Sequence, residues 1–90
     1  MQNTRIVGFM ALDKKQNWLR QLFVDPSCQR AGIGRRLLDD AKQEMPQGFW
    51  LRTTANNLNA RQFYEKAGLR FDGLSLYERY QREIAIFRWP

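Results

Sequence analysis

A chain of 90 residues, 43% of them apolar, has material for one small domain with a thin core and is too apolar to be a disordered one. Fifteen lysines and arginines against nine acids give a formal charge of +6, which favours anionic partners, but the charges are spread along the chain, which weakens a nucleic-acid reading and suits a phosphate-bearing ligand. A single cysteine, Cys28, rules out an intrachain disulfide and a thiolate zinc site, and the lack of any histidine rules out histidine triads and histidine metal sites, so no metal is expected.

In chain order, residues 5–12 (Arg-Ile-Val-Gly-Phe-Met-Ala-Leu) form an apolar, β-branched run that reads as a strand. The polar stretch Asp13 to Asn17 suits a hairpin turn, and Trp18 to Val24 reads as a second strand, antiparallel to the first. Pro26 stops it, because proline cannot donate to a ladder. A glycine loop, Gln29 to Gly34, leads into a helix from about Ile33 to Met45, with Ile33, Leu37, Leu38, Ala41 and Met45 on one face. Arg36 and Asp40 are spaced to pair on its outer face, and Pro46 and Gly48 end it. Phe49 to Thr54 reads as a third strand. Asn56 and Asn57 can cap a helix from Leu58 to Ala67, with Arg61 and Glu65 spaced to pair and Gly68 as a positive-φ stop. Leu69 to Leu74 suggests a short strand interrupted at Gly73, and Glu83 to Trp89 a strong final strand. The central β-α-β units favour parallel pairing and the ends look like antiparallel additions, so an α/β domain with a mixed parallel and antiparallel sheet and two helices is expected. No apolar run is long enough to span a bilayer and no leader pattern opens the sequence, so the expected location is cytoplasmic.

The glycine loop carries the chemistry. Where a strand turns into a helix, several N–H groups lack partners and the helix dipole adds partial positive charge. Gly32 and Gly34 remove side chains that would block a pyrophosphate, while Gln29, Arg30, Arg35 and Arg36 add donors and charge. By itself a Gly-x-Gly pair is equally an ordinary turn. It is not a P-loop, since Arg35-Arg36 stands where Lys-Ser/Thr belongs, nor a dinucleotide fingerprint, since Leu37 stands at the third glycine.

Residues 22–38, Leu-Phe-Val-Asp-Pro-Ser-Cys-Gln-Arg-Ala-Gly-Ile-Gly-Arg-Arg-Leu-Leu, resemble the acetyl-CoA-binding signature of the GNAT N-acetyltransferases, with Gln29, Gly32 and Gly34 at its defining positions. Residues 57–69, Asn-Leu-Asn-Ala-Arg-Gln-Phe-Tyr-Glu-Lys-Ala-Gly-Leu, resemble the family's second signature, departing only in Leu69 for the usual Phe. The resemblance covers nearly the whole chain as one truncated GNAT-like domain, residues 1–90, lacking the N-terminal strand and helices that usually wall the acceptor site. It implies an N-acetyltransferase in which a primary amine, on a small molecule or a protein, attacks acetyl-CoA directly, with no acyl-enzyme. The absence of any Ser-His or Cys-His pair agrees with that.

By the same resemblance, Gln29, Arg30, Ala31, Gly32, Ile33, Gly34 and Arg35 hold the pyrophosphate and the backbone of Leu22, Phe23 and Val24 pairs with the pantetheine arm. An amide near Phe23 or Val24 polarises the thioester carbonyl. Asn57 lies near the pantetheine, and Tyr64 protonates the departing thiolate, a task suited to a phenol. Each role has a plainer rival: Tyr64 as a core aromatic, Asn57 as a helix cap, Cys28 as a small loop residue. No general base stands out; Asp25 and Glu65 are available carboxylates. The competing functions are a catalytically silent acyl-CoA-binding module and a small basic nucleic-acid-binding protein. A thin core and aromatic strands point to a homodimer.

Overall fold

The computed structural model describes residues 8–25, 32–77 and 81–90. The elements are β1 (Gly8–Asp13), β2 (Trp18–Val24), α1 (Ile33–Glu44), β3 (Phe49–Thr54), α2 (Leu58–Lys66), β4 (Arg70–Tyr77) and β5 (Arg82–Trp89). Their order and type match the expectation. Residues 5–7 of the first expected strand lie outside the described residues, as does Pro26. The interruption anticipated at Gly73 is a bulge within a longer strand: the register against β5 jumps between Phe71 and Leu74, and Gly73 takes φ +114°.

The strands form one mixed sheet in the order β1-β2-β3-β5-β4. β1 and β2 are an antiparallel hairpin, β3, β5 and β4 an antiparallel trio, and β2 runs parallel to β3. The parallel seam is short. Trp18 opposite Trp50 is its one registered pair, and the two strands part beyond it.

Alternation along the strands sorts side chains between two faces. Leu19, Leu51, Ala85 and Phe87 join Leu38 and Ala41 of α1, Met45 at its C-cap, Tyr64 of α2 and Ala67 at its C-cap in the core. Both helices therefore cover the same face. Lys42 Nζ ties them together by donating to the carbonyl of Ala67 at 2.9 Å. Trp18, Trp50, Arg52, Ile86 and Arg88 fall on the opposite face. In β2 the alternation breaks once. Leu12 faces Leu19 while Ala11 faces Gln21, so Arg20 is an extra residue, a bulge that lets both Leu19 and Leu22 reach the helical side.

Helix ends obey the chemistry of their residues. α2 is capped at its start by Asn57 and closed by Gly68 at φ +93°, with Gly68 N–H donating to the Glu65 carbonyl and Leu69 N–H to the Tyr64 carbonyl, both at 3.0 Å. The charge pairs differ from expectation. On α1 it is Arg35 that meets Asp39, at 3.6 Å, rather than Arg36 with Asp40. Arg61 turns away from Glu65 and donates to the part-buried carbonyl of Ala55 at 2.7 Å, since an exposed ion pair with Glu65 would contribute little through solvent.

Candidate functional site

Helix α1 begins in an unusual way. Its N-cap is Gly32 in the left-handed conformation, no side chain caps the first amides, and no acidic residue stands in the first turn. Arg35 and Arg36 occupy that turn instead. Cations at the positive end of a helix are unfavourable, and the first amides have no intrahelical acceptor. An anion seated there resolves both problems. Among the described residues the space for it is present: a Cβ on Gly32 would meet nothing within 4 Å there, and φ +77° makes any side chain strained. Arg35 is steadied by Asp39 and by donating to the Lys66 carbonyl at 3.4 Å.

Gly34 has a second constraint. A Cβ there would come within 3.0 Å of the Phe63 ring and 3.4 Å of Val24, so glycine lets α2 and β2 close against the start of α1. Gln29, Arg30 and Ala31, along with Cys28, lie outside the described residues.

The parting of β2 from β3 opens a cleft at the C-terminal ends of two parallel strands, where ligands bind in open α/β sheets. Its volume is about 950 Å³. Leu22, Phe23, Val24, Gly32, Gly34 and Arg35 line one wall, and Asn57 and Tyr64 lie opposite. Residues expected from two separate motifs thus share one cavity. Ile33 is the exception. Its side chain turns toward β1, where a Cβ on Gly8 would lie 2.9 Å from Ile33 Cγ2.

Two side chains combine the sharp and the plain readings. Asn57 Oδ1 accepts from the N–H of Ala60 at 3.2 Å, so the residue is a helix cap, and its side-chain NH2 remains a donor on the cleft wall. Tyr64 is a core aromatic, with its ring 5.5 Å from Phe63 and 5.6 Å from Phe87, and it also borders the cleft. Burial raises its phenol above the ordinary value of 10, because the phenolate would be poorly solvated. Tyr64 is therefore a neutral O–H donor throughout the physiological range.

Sequence reasoning missed Thr53, Asn59, Ala60 and Phe63 on the α2 side, and Phe9, Arg20, Gln21 and Arg52 toward the other face. Three of these left a signal. Leu19 and Leu22 are three apart in a strand, which marks a bulge at Arg20, and Phe63 and Ala60 share the apolar stripe of α2 with Tyr64. Neither Asp25 nor Glu65 lines the cleft. Among the described residues, no cluster of His, Cys, Asp or Glu could hold a metal ion, and no helix is long and apolar enough to cross a membrane.

Comparison with known proteins agrees with this geometry. A family model for the acetyltransferase (GNAT) domain matches residues 1–83. The peptidyl-lysine N-acetyltransferase YjaB of Escherichia coli (strain K12) is 35% identical over 71 residues, which cover 77% of this chain and 45% of that protein. A protein assigned as a streptothricin acetyltransferase from Bacillus anthracis str. Ames, solved in complex with acetyl coenzyme A, superposes with a TM-score of 0.82 at 30% identity, over 94% of this chain and 56% of that one. The solution structure of apo YjaB gives 0.81 at 27% identity, over 92% and 56%. The chain spans about half the length of these relatives. An anion-ready helix start beside a split parallel seam and a family match over nearly every residue lead to one conclusion: the chain belongs to the GNAT acetyltransferase family.

Proposed function

We propose that this domain binds acetyl-CoA in the cleft between β2 and β3 and transfers the acetyl group to a primary amine. The observation that carries the reading is the start of α1: uncapped, free of acids, bearing two arginines, and opening into the same cavity as Tyr64. The residues fit such a ligand, since among the described residues the space beside Gly32 is open. In the relative from Bacillus anthracis, acetyl coenzyme A is the bound molecule.

Bound acetyl-CoA supplies an activated thioester. The amides of Gly32 to Arg35 and the Arg35 guanidinium neutralise its diphosphate, together with the loop amides of Gln29, Arg30 and Ala31. The edge of β2 that faces β3 has no registered neighbour past Trp18, so the backbone of Leu22, Phe23 and Val24 can pair with amides of an extended arm. An N–H near Phe23 or Val24 donates to the carbonyl oxygen that gains charge. Asn57 adds its side-chain NH2. Tyr64 Oη, kept protonated by burial, delivers a proton to the departing sulfur. With no histidine in the chain, direct attack by the amine is the simplest route.

The test is thiol release. Purified protein with acetyl-CoA and a panel of primary amines yields free coenzyme A thiol in proportion to amine. Tight acetyl-CoA binding with no amine-dependent thiol would instead identify a silent acyl-CoA-binding module. The reading extends to a homodimer, because Phe71, Leu74 and Leu76 on edge strand β4 remain exposed and unpaired edges invite a partner. Light scattering at high protein concentration should return twice the chain mass; a monomer mass contradicts it.

A further inference from the structure

Successive residues of β2 point to opposite faces of the sheet. Val24 points toward α1, where a Cβ on Gly34 would lie 3.4 Å from Val24 Cγ2. Phe23, one residue earlier, therefore projects from the other face, and Phe9 stands directly opposite it on β1. Their rings lie 5.4 Å apart at an interplanar angle of 30°. Packed rings are ordinarily buried, yet Phe9 is 43% exposed and Phe23 42%. Both border the same cavity as Tyr64. Among the described residues the other large exposed apolar side chains, Leu58, Phe71, Leu74 and Leu76, stand away from it.

Strand geometry relates this pair to the proposed chemistry. The N–H groups of β2 lie in the plane of the sheet, while side chains stand roughly perpendicular to it. A thioester carbonyl held by the N–H near Phe23 or Val24 is thus flanked by the Phe23 ring, with Phe9 beside it. Phenyl rings offer no hydrogen bond to a hydroxyl or an ether, so a polar skeleton laid on them loses water without compensation. An apolar skeleton laid there removes both surfaces from water at once.

We propose that Phe9 and Phe23 form the acceptor subsite, and that the acceptor is a primary amine on an apolar skeleton that packs against the two rings. The inference rests on the acetyl-transfer reading and names its substrate class. The amine nitrogen forms the new bond to the acetyl carbon as the carbon–sulfur bond breaks; nitrogen gives up one proton to solvent and sulfur gains one.

The test compares 2-cyclohexylethylamine with 2-(tetrahydropyran-4-yl)ethylamine, in which an ether oxygen replaces one ring methylene, and with 1,4-diaminobutane, all at saturating acetyl-CoA. The cyclohexyl amine should exceed both others by roughly tenfold in kcat/KM, mainly through KM. Phe9→Ala should cut its advantage over the ether to about threefold or less, and Phe9→Leu, which keeps an apolar surface, should retain most of it. Each ratio is taken within one variant, so a general loss of folded protein cancels. A second readout does not need turnover. N-acetyl-2-cyclohexylethylamine should shift the aromatic resonances of Phe9 and Phe23 in the coenzyme-A-loaded protein, and the corresponding ether acetamide should shift them far less. Equal use of the ether, a preference for the diamine, or an apolar preference that survives Phe9→Ala overturns the proposal. So does a dimeric parent that Phe9→Ala turns into a monomer by light scattering, because the rings would then be a subunit contact. If acetyl-CoA fails to bind, or no amine releases thiol, the acetyl-transfer reading falls and carries this one with it. If amines release thiol without the apolar preference, only the acceptor class is wrong.

Discussion

Gly32→Glu should weaken acetyl-CoA binding by roughly a hundredfold or more, about 2.7 kcal/mol, while leaving the domain folded. The large effect comes from placing a carboxylate in the space proposed for a diphosphate, at a residue whose Cβ has open room ahead of it among the described residues. The small effect on folding is a sum of opposing terms. A non-glycine residue at φ +77° costs about 1–2 kcal/mol. An acid at an uncapped helix start returns about 0.3–1 kcal/mol through the dipole. Gly32→Ala is the control, since it carries the same strain without the charge. It should bind acetyl-CoA within about tenfold of the parent. Calorimetric titration of both variants, with denaturant midpoints alongside, separates charge from strain. Equal affinity for the Glu variant and the parent would show that no anion sits at this turn.

Tyr64→Phe should lower kcat by about a hundredfold with acetyl-CoA affinity nearly unchanged. The phenyl ring keeps its contacts with Phe63 and Phe87, so the packing that positions α2 survives, and only the hydroxyl proposed as proton donor is removed. An unchanged rate takes Tyr64 out of the chemistry and leaves it a core residue. The same variant has a signature in stability. Burial raises the folded-state pKa of Tyr64, so its contribution to stability is full below the ordinary value of 10 and is lost as pH rises through the higher folded value. Thermal melts taken from about pH 9 to about pH 11 should show a steeper alkaline decline in the parent than in Tyr64→Phe.

Most of the architecture could be read from local chemistry. Apolar runs bounded by turn residues marked the strands, Asn57 and Gly68 marked both ends of α2, and Gly32 marked the start of α1. Those signals are short-range, and their residues act within a turn of where they stand. What escaped was long-range. Nothing in β2 alone says that it leaves β3 after one registered pair, because that separation depends on α1 and the crossover. The second wall of the cleft escaped for the same reason: Arg52 and Thr53 meet Arg20 only through tertiary geometry. Gly34 shows a further limit. Reading it as room for a ligand was incomplete, because the Phe63 ring also needs that space and lies far away in sequence. The ion pairs on the helices were misassigned for a simpler cause. Exposed pairs are weak, so Arg61 goes to the part-buried carbonyl of Ala55 nearby.

The central claim is that main-chain donors at the start of α1 hold the diphosphate. An acetyl-CoA titration followed by backbone amide resonances tests it directly. Saturable shifts should be largest at Gly32, Gly34 and Arg35, with smaller ones at Phe23 and Val24. Saturable binding that leaves those three amides still, and instead moves residues around the separate hollow bordered by Thr54, Asn56, Arg61 and Arg82, would contradict it.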